Sequence, residues 1–164
     1  MLISKWDERR SILKKKFSKR TNDRLELAGL IAFVNRKRWW HVPPRDPEAY
    51  LKRGKFLASS YQEAEFWGRP LMDPIGVSIS NPLIGDETLI ERKLFGQRVS
   101  RQDFGMEQRW KLDARMKRAA LSLGYDSILL MAPQGFAKFR SNGKPPRSME
   151  LNVLVPVAAT RFPQ

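Results

Sequence analysis

Arg38-Trp39-Trp40-His41-Val42-Pro43-Pro44 opens a run that continues to Trp67-Gly68, and the reading of that run decides the fold. Arg38–Val42 is expected as a short strand, stopped by two prolines that cannot donate to a sheet ladder. Asp46 is a good helix N-cap, Pro47 suits the first helical position, and Gly54 suits the C-terminal cap of a helix over Glu48–Arg53. Lys55–Ser59 then reads as a second strand. Ser60 and Glu63 match a capping box, opening a helix over Tyr61–Trp67 that Gly68 ends. These local signals agree with one another, as they do in a well-specified segment.

Outward from this run, the chain alternates short strands with helices. On the N-terminal side, Thr21 or Asn22 caps a helix over 22–36. Its Leu27, Leu30, Ile31 and Val34 fall at i, i+3, i+4, i+7 and form a core-facing stripe. Before it, 5–19 is a basic helix with Trp6, Leu13 and Phe17 near one face. On the C-terminal side, Ile75–Ile79 alternates as a strand ending at Asn81-Pro82, and Asp86-Glu87-Thr88 opens a helix to about Leu94. Residues 96–108 show no clean period. A helix over 109–123 follows, with Leu112, Met116, Ala119, Ala120 and Leu123 on one face and Gly124 closing it. Ser127–Met131 is a buried strand, 132–147 a long loop, and Met149–Val155 a last strand before Pro156. The fold class is α+β, with a basic arm over 1–37 and one compact unit over 38–164. Trp39, Trp40, Phe66 and Trp67 are expected in the core.

A chain of 164 residues supports one domain with a real core. With 41% hydrophobic and 29% charged residues it is expected to fold. No apolar run approaches the roughly 20 residues that cross a bilayer. The first ten residues lack an apolar signal region, so a cytoplasmic location is expected. No cysteine and a single histidine argue against a thiolate or histidine-built metal site, so no metal is expected. The net charge is +14. Residues 1–20 hold eight Lys/Arg against two acids and 21–40 hold four against two, placing +8 of that charge in the first forty residues. Such charge favours encounters with polyanions, including nucleic acid and ribonucleoprotein.

No G-x-G-x-x-G, Walker loop or G-x-S-x-G elbow is present, which argues against Rossmann, P-loop and α/β-hydrolase chemistry. The order of segments instead resembles the ADP-ribosyltransferase family, in its bacterial and phage toxin-like branch. Trp39-Trp40-His41-Val42-Pro43-Pro44 resembles the family's first core strand. Gly54 through Gly68 resembles its second strand and the helix after it. Val77–Pro82 and Leu123–Ile128 resemble two framework segments, and Ser148-Met149-Glu150-Leu151-Asn152-Val153 resembles the strand that carries the catalytic glutamate.

The resemblance implies a split, mostly antiparallel pair of sheets with flanking helices, and NAD as substrate. It implies that Glu150 is catalytic and that His41 positions NAD by a ribose hydroxyl. Arg45 would meet the pyrophosphate, and Ser59 or Ser60, with Tyr61 nearby, would stand at the family's middle position. Gln134, Phe136, Phe139 and Arg140, in the loop before the glutamate strand, are candidates for contacts to an acceptor, either a nucleic acid or a ribonucleoprotein. Ser148 joins them, standing where many members place Glu or Gln. The chemistry suits such a set, because cleavage of the nicotinamide–ribose bond passes through an oxocarbenium-like state that a carboxylate stabilises.

The residues also support plainer readings. Beside two tryptophans, His41 reads as a structural histidine. Glu150 fits the solvent-facing position of a strand's alternation. The basic surface alone would serve a non-catalytic nucleic-acid-binding protein, or one that binds a host protein.

Overall fold

The computed structural model describes residues 23–154. The expected helix over 5–19, the first part of the basic arm and the end of the last strand lie outside these residues.

The chain is α+β. A helix running through 23–36 (α1) is followed by β1 (Trp40–His41), α2 (Ala49–Arg53), β2 (Lys55–Ala58) and α3 (Tyr61–Glu65). Next come β3 (Pro82–Gly85), α4 (Glu87–Phe95), α5 (Met106–Ser122), β4 (Ser127–Met131), α6 (Pro133–Asn142) and β5 (Met149–Val153). The strands form one mixed sheet in the order β1-β2-β5-β4-β3, antiparallel except for β3 against β4.

The expected split into two sheets is not found. β5 pairs with β2 on one side and β4 on the other, joining both halves of the chain in one sheet. The parallel β3–β4 pair needs a crossover, which α4 and α5 supply.

Alternation along β5 divides the core. Met149, Leu151 and Val153 pack with Leu57, Leu129 and Met131 on one face, beneath Leu30 and Val34 of α1, Trp39, Ile79 and Phe139 of α6. The part of α1 described here is therefore built into the domain core. Leu27, expected in the same stripe, is 39% exposed. On the other face Ile128, Leu83 and Leu154 pack beneath Ile90 of α4 and Ala120 of α5.

Local chemistry sets the ends of these elements. Asp86 caps α4 by accepting from Leu89 N–H at 2.8 Å, and Ser60 caps α3 by accepting from Glu63 N–H at 3.2 Å. The carboxylate of Glu63 accepts from the Ser59 hydroxyl at 2.5 Å, outside the expected capping-box pairing. Asp46 accepts from Glu48 N–H at 3.0 Å at the approach to α2. Gly54, at φ 88°, ends α2, and a Cβ there would run into Asn152 Oδ1.

Three expected elements differ. Ile75–Ile79 forms no strand beyond a bridge between Ile75 and Trp39. The Asn35 side chain satisfies Ile79 instead, accepting from its N–H at 2.8 Å and donating to its carbonyl at 2.9 Å. The strand begins at Pro82, where a missing N–H is tolerated at the start of an edge strand. Residues 132–147, expected as a loop, contain α6, with Pro133 in the first turn and Gly143 left-handed at the end. The helix expected at 109 starts at Met106, where Gly105 N–H donates to Gln108 Oε1 at 3.0 Å. Trp39 is fully buried as expected, but Phe66 and Trp67 are 82% and 58% exposed.

Candidate functional site

Cross-strand partners in a sheet point to the same face, so register decides which side chains can meet. Trp40 pairs with Ala58, Ala58 with Glu150, and Glu150 with Leu130. That row faces α5. His41 pairs with Leu57, which pairs with Leu151, and Leu151 pairs with Leu129. That row belongs to the face beneath α1 and α6. The expected site uniting His41 and Glu150 is therefore not formed, because the two side chains leave the sheet on opposite faces.

His41 is buried at 4% exposure, and both ring nitrogens are engaged within the chain. The Phe56 carbonyl, 2.9 Å from Nδ1, can only accept, which places the ring proton on Nδ1. Nε2 then accepts from the Tyr50 hydroxyl at 2.8 Å. Burial holds the imidazole below its usual 6.5, helped by Lys55 and opposed by the bond to Phe56. Burial also pushes the Tyr50 hydroxyl above its usual 10.0, keeping its proton available to donate. A neutral ring with both nitrogens occupied ties β1 to β2 and α2, and lines neither cavity described below.

Glu150 stands apart from the other acids. It is half-buried in the middle of the sheet, and no Lys or Arg forms a salt bridge with it among the described residues. Burial pushes its pKa up. Arg109 opposes the shift, while Asp113, Glu87 and Glu63 add to it. Nearby carboxylates are held: Asp113 by Arg109 at 3.1 Å, Glu87 by Arg101, and Glu91 by Arg98 at 3.3 Å and by Arg101.

Glu150 borders two cavities. A cleft of about 480 Å³ runs over the C-terminal end of β4 and the start of α6, lined by Ser148, Ala132, Pro133, Thr88, Arg98 and Glu63 among others. A larger groove of about 1200 Å³ lies between α5 and the wall formed by β1, the end of α2 and the segment after α3. Glu150 is where the two meet.

The other expected site residues are scattered. Ser148 lines the cleft beside Glu150, and Arg45 lines the groove. Ser59 is buried and used up structurally, donating to Glu63 and accepting from Met149 N–H at 3.0 Å. Ser60 is the α3 cap, and Tyr61 packs edge-on against Trp40 with ring centroids 5.1 Å apart. Phe139 is buried in the core beneath α6, and Phe136 packs against that core. Arg140 lies over the Phe136 ring at 5.7 Å, and Gln134 is exposed without lining either cavity. This packing places Phe139, and in part Phe136, against the core on the face opposite Glu150.

Arg98, Thr88 and Arg53 line these cavities but do not stand out in the primary structure, and Trp67, expected in the core, lines both. Trp110 carries a usable signal. It lies off the core-facing stripe of α5, and a large aromatic on the polar side of an amphipathic helix marks a surface with a task.

Among the described residues no cluster of His, Asp or Glu could hold a metal ion, and no helix is long and apolar enough to cross a membrane. No family model matches the chain, and comparison with characterised proteins and with solved structures finds no match either.

Proposed function

We propose that the chain cleaves the nicotinamide–ribose bond of NAD and transfers ADP-ribose, with Glu150 stabilising the oxocarbenium-like transition state. One observation carries this reading: a half-buried carboxylate with no cationic partner at the junction of two cavities. Such a group is costly in the resting protein, since burial disfavours its charged form. Positive charge developing on the ribose supplies what the resting site lacks, so Glu150 favours the transition state over the ground state. The resemblance of the ordered segments from Trp39 to Pro156 to ADP-ribosyltransferases supports the same chemistry.

In this reading the nicotinamide riboside enters the smaller cleft, where the hydroxyls of Ser148 and Thr88 offer polar contacts. Arg98 on the cleft wall, held by Glu91 through Nε and by Thr88 through Nη1, turns its remaining nitrogen to the pyrophosphate, a role expected of Arg45. The bond from C1′ to the nicotinamide nitrogen breaks, and its electron pair leaves with nicotinamide. A lone pair of the acceptor forms the new bond to C1′, and its proton passes to Glu150 or to water. With water as acceptor the reaction is NAD hydrolysis. His41 acts only through the framework.

The test is nicotinamide release from NAD, followed by chromatography with wild type and Glu150→Gln, alone and with cell lysate as an acceptor source. The expected loss in the variant is about 100-fold or more, as for removal of a group acting on transition-state charge. Wild-type activity should rise with pH through a value above the ordinary glutamate pKa of 4.5. Absence of both nicotinamide release and NAD binding would overturn the reading.

A further inference from the structure

The larger groove has features that cleavage of NAD does not require. Four acids line it, and three are already neutralised: Asp46 by Lys52 at 3.6 Å, Glu107 by Lys111 at 2.9 Å and Asp113 by Arg109 at 3.1 Å. Glu150 is the fourth. Arg45, Arg53, Arg69 and Arg118 also line the groove, and none has a carboxylate at salt-bridge distance among the described residues. The groove therefore presents an excess of positive charge around a single carboxylate.

Its aromatic lining is equally unusual. Trp110 projects from α5 at 50% exposure, with the Arg53 guanidinium 4.9 Å above its ring. Trp67, 58% exposed, stands on the other wall after α3. Indoles left in solvent beside unpaired arginines combine the two elements of single-strand recognition, flat rings for bases and cations for phosphates. A duplex keeps its base faces stacked internally and offers such rings nothing.

We propose that this groove is a docking surface for single-stranded nucleic acid, stacked on Trp110 and Trp67 and held through phosphates by Arg53, Arg118, Arg45 and Arg69. The strand then passes Glu150 on the side opposite the cleft assigned to NAD, which makes it the acceptor. That last step rests on the transferase reading; the docking does not.

The experiment measures fluorescence anisotropy of labelled oligothymidine and oligouridine of about ten nucleotides over a range of salt, without NAD. Wild type is expected to bind with a log–log salt slope of about −3, as for four phosphate contacts to a single strand. Trp110→Ala is expected to weaken binding about tenfold, and Trp110→Phe to restore most of it, which separates stacking from misfolding. Arg53→Ala and Arg118→Ala should each reduce the slope by about 0.7. Equal binding of thymidine and uridine oligomers supports backbone-and-stacking recognition, while a preference names the natural class.

Absence of binding at low salt, or binding indifferent to Trp110 and Arg53, overturns the proposal. So does equal affinity for duplex DNA or for polyglutamate, which would point to general polyanion attraction or an acidic protein partner. Nicotinamide release is assayed separately. Oligonucleotide binding without release leaves the groove standing and removes the transferase reading. Release without oligonucleotide binding does the reverse.

Discussion

Glu150 and His41 are both ionisable side chains drawn out of water, and their partners separate them. Both polar atoms of the imidazole are matched, whereas the Glu150 carboxylate borders two cavities and has no salt-bridge partner among the described residues. On the proposed reading Glu150 is kept for activity at the expense of stability, and neutralising it exposes that cost. Glu150→Gln is expected to raise stability near neutral pH by on the order of 1 kcal/mol. The sign follows from linkage. With its folded pKa raised, the native state retains a proton that the unfolded chain releases above 4.5. The contribution of Glu150 to stability is then fully present below 4.5, is lost as pH climbs to the raised value, and stays absent above it. The advantage of the variant should vanish in acid, as denaturation midpoints at the two pH values will report. A variant less stable than wild type at neutral pH would mean that Glu150 is held by a partner. Both residues can be singled out in the sequence, but their relation cannot. A slip of one residue between β1 and β2 reverses the face of every side chain, and the α2 segment between them hides that offset.

At the level of elements, end signals were more legible than interiors. The caps at Ser60 and Asp86 and the stop at Gly54 act within a few residues and read directly from the chain. α6 eluded that reading although Pro133 and Gly143 bracket it, because Gly135, Phe136, Phe139, Ser141 and Asn142 are modest helix formers. Packing of Phe136 and Phe139 against the core supplies what propensity does not. The segment between α4 and α5 has no period because it is held by charge. Glu91, fully buried, accepts from Val99 N–H at 3.1 Å and pairs with Arg98 and Arg101. Removing Glu91 leaves the Val99 N–H unmatched and frees two partly exposed arginines, so Glu91→Ala is expected to cost about 1–3 kcal/mol. Amide exchange across 97–104 should accelerate most. Stability within 1 kcal/mol of wild type in a urea titration would show that this segment is not fastened through Glu91.

Across the whole molecule, one strand carries the architecture. Leu151 is fully buried at the centre of β5 and paired to both neighbouring strands. Leu151→Ala is expected to cost about 2–5 kcal/mol, with tryptophan fluorescence and far-ultraviolet dichroism melting together before and after the change. Separated transitions would indicate two halves that fold by themselves. The α+β class was legible from the alternation of short strands and helices, but a single sheet in place of a split pair was not. Pairings between residues about a hundred positions apart, such as Phe56 with Asn152, leave no local trace in the chain.

The central place of β5 also bears on the order of events during synthesis. β1 with β2, and β3 with β4, can form while the chain is still emerging from the ribosome, yet the two pairs share no edge until residues 149–153 arrive between them. The strand that completes the sheet is also the one that carries Glu150. A nascent chain halted before that point has neither a closed sheet nor the carboxylate, so the fold and the Glu150 side chain become available together, only once translation has passed β5.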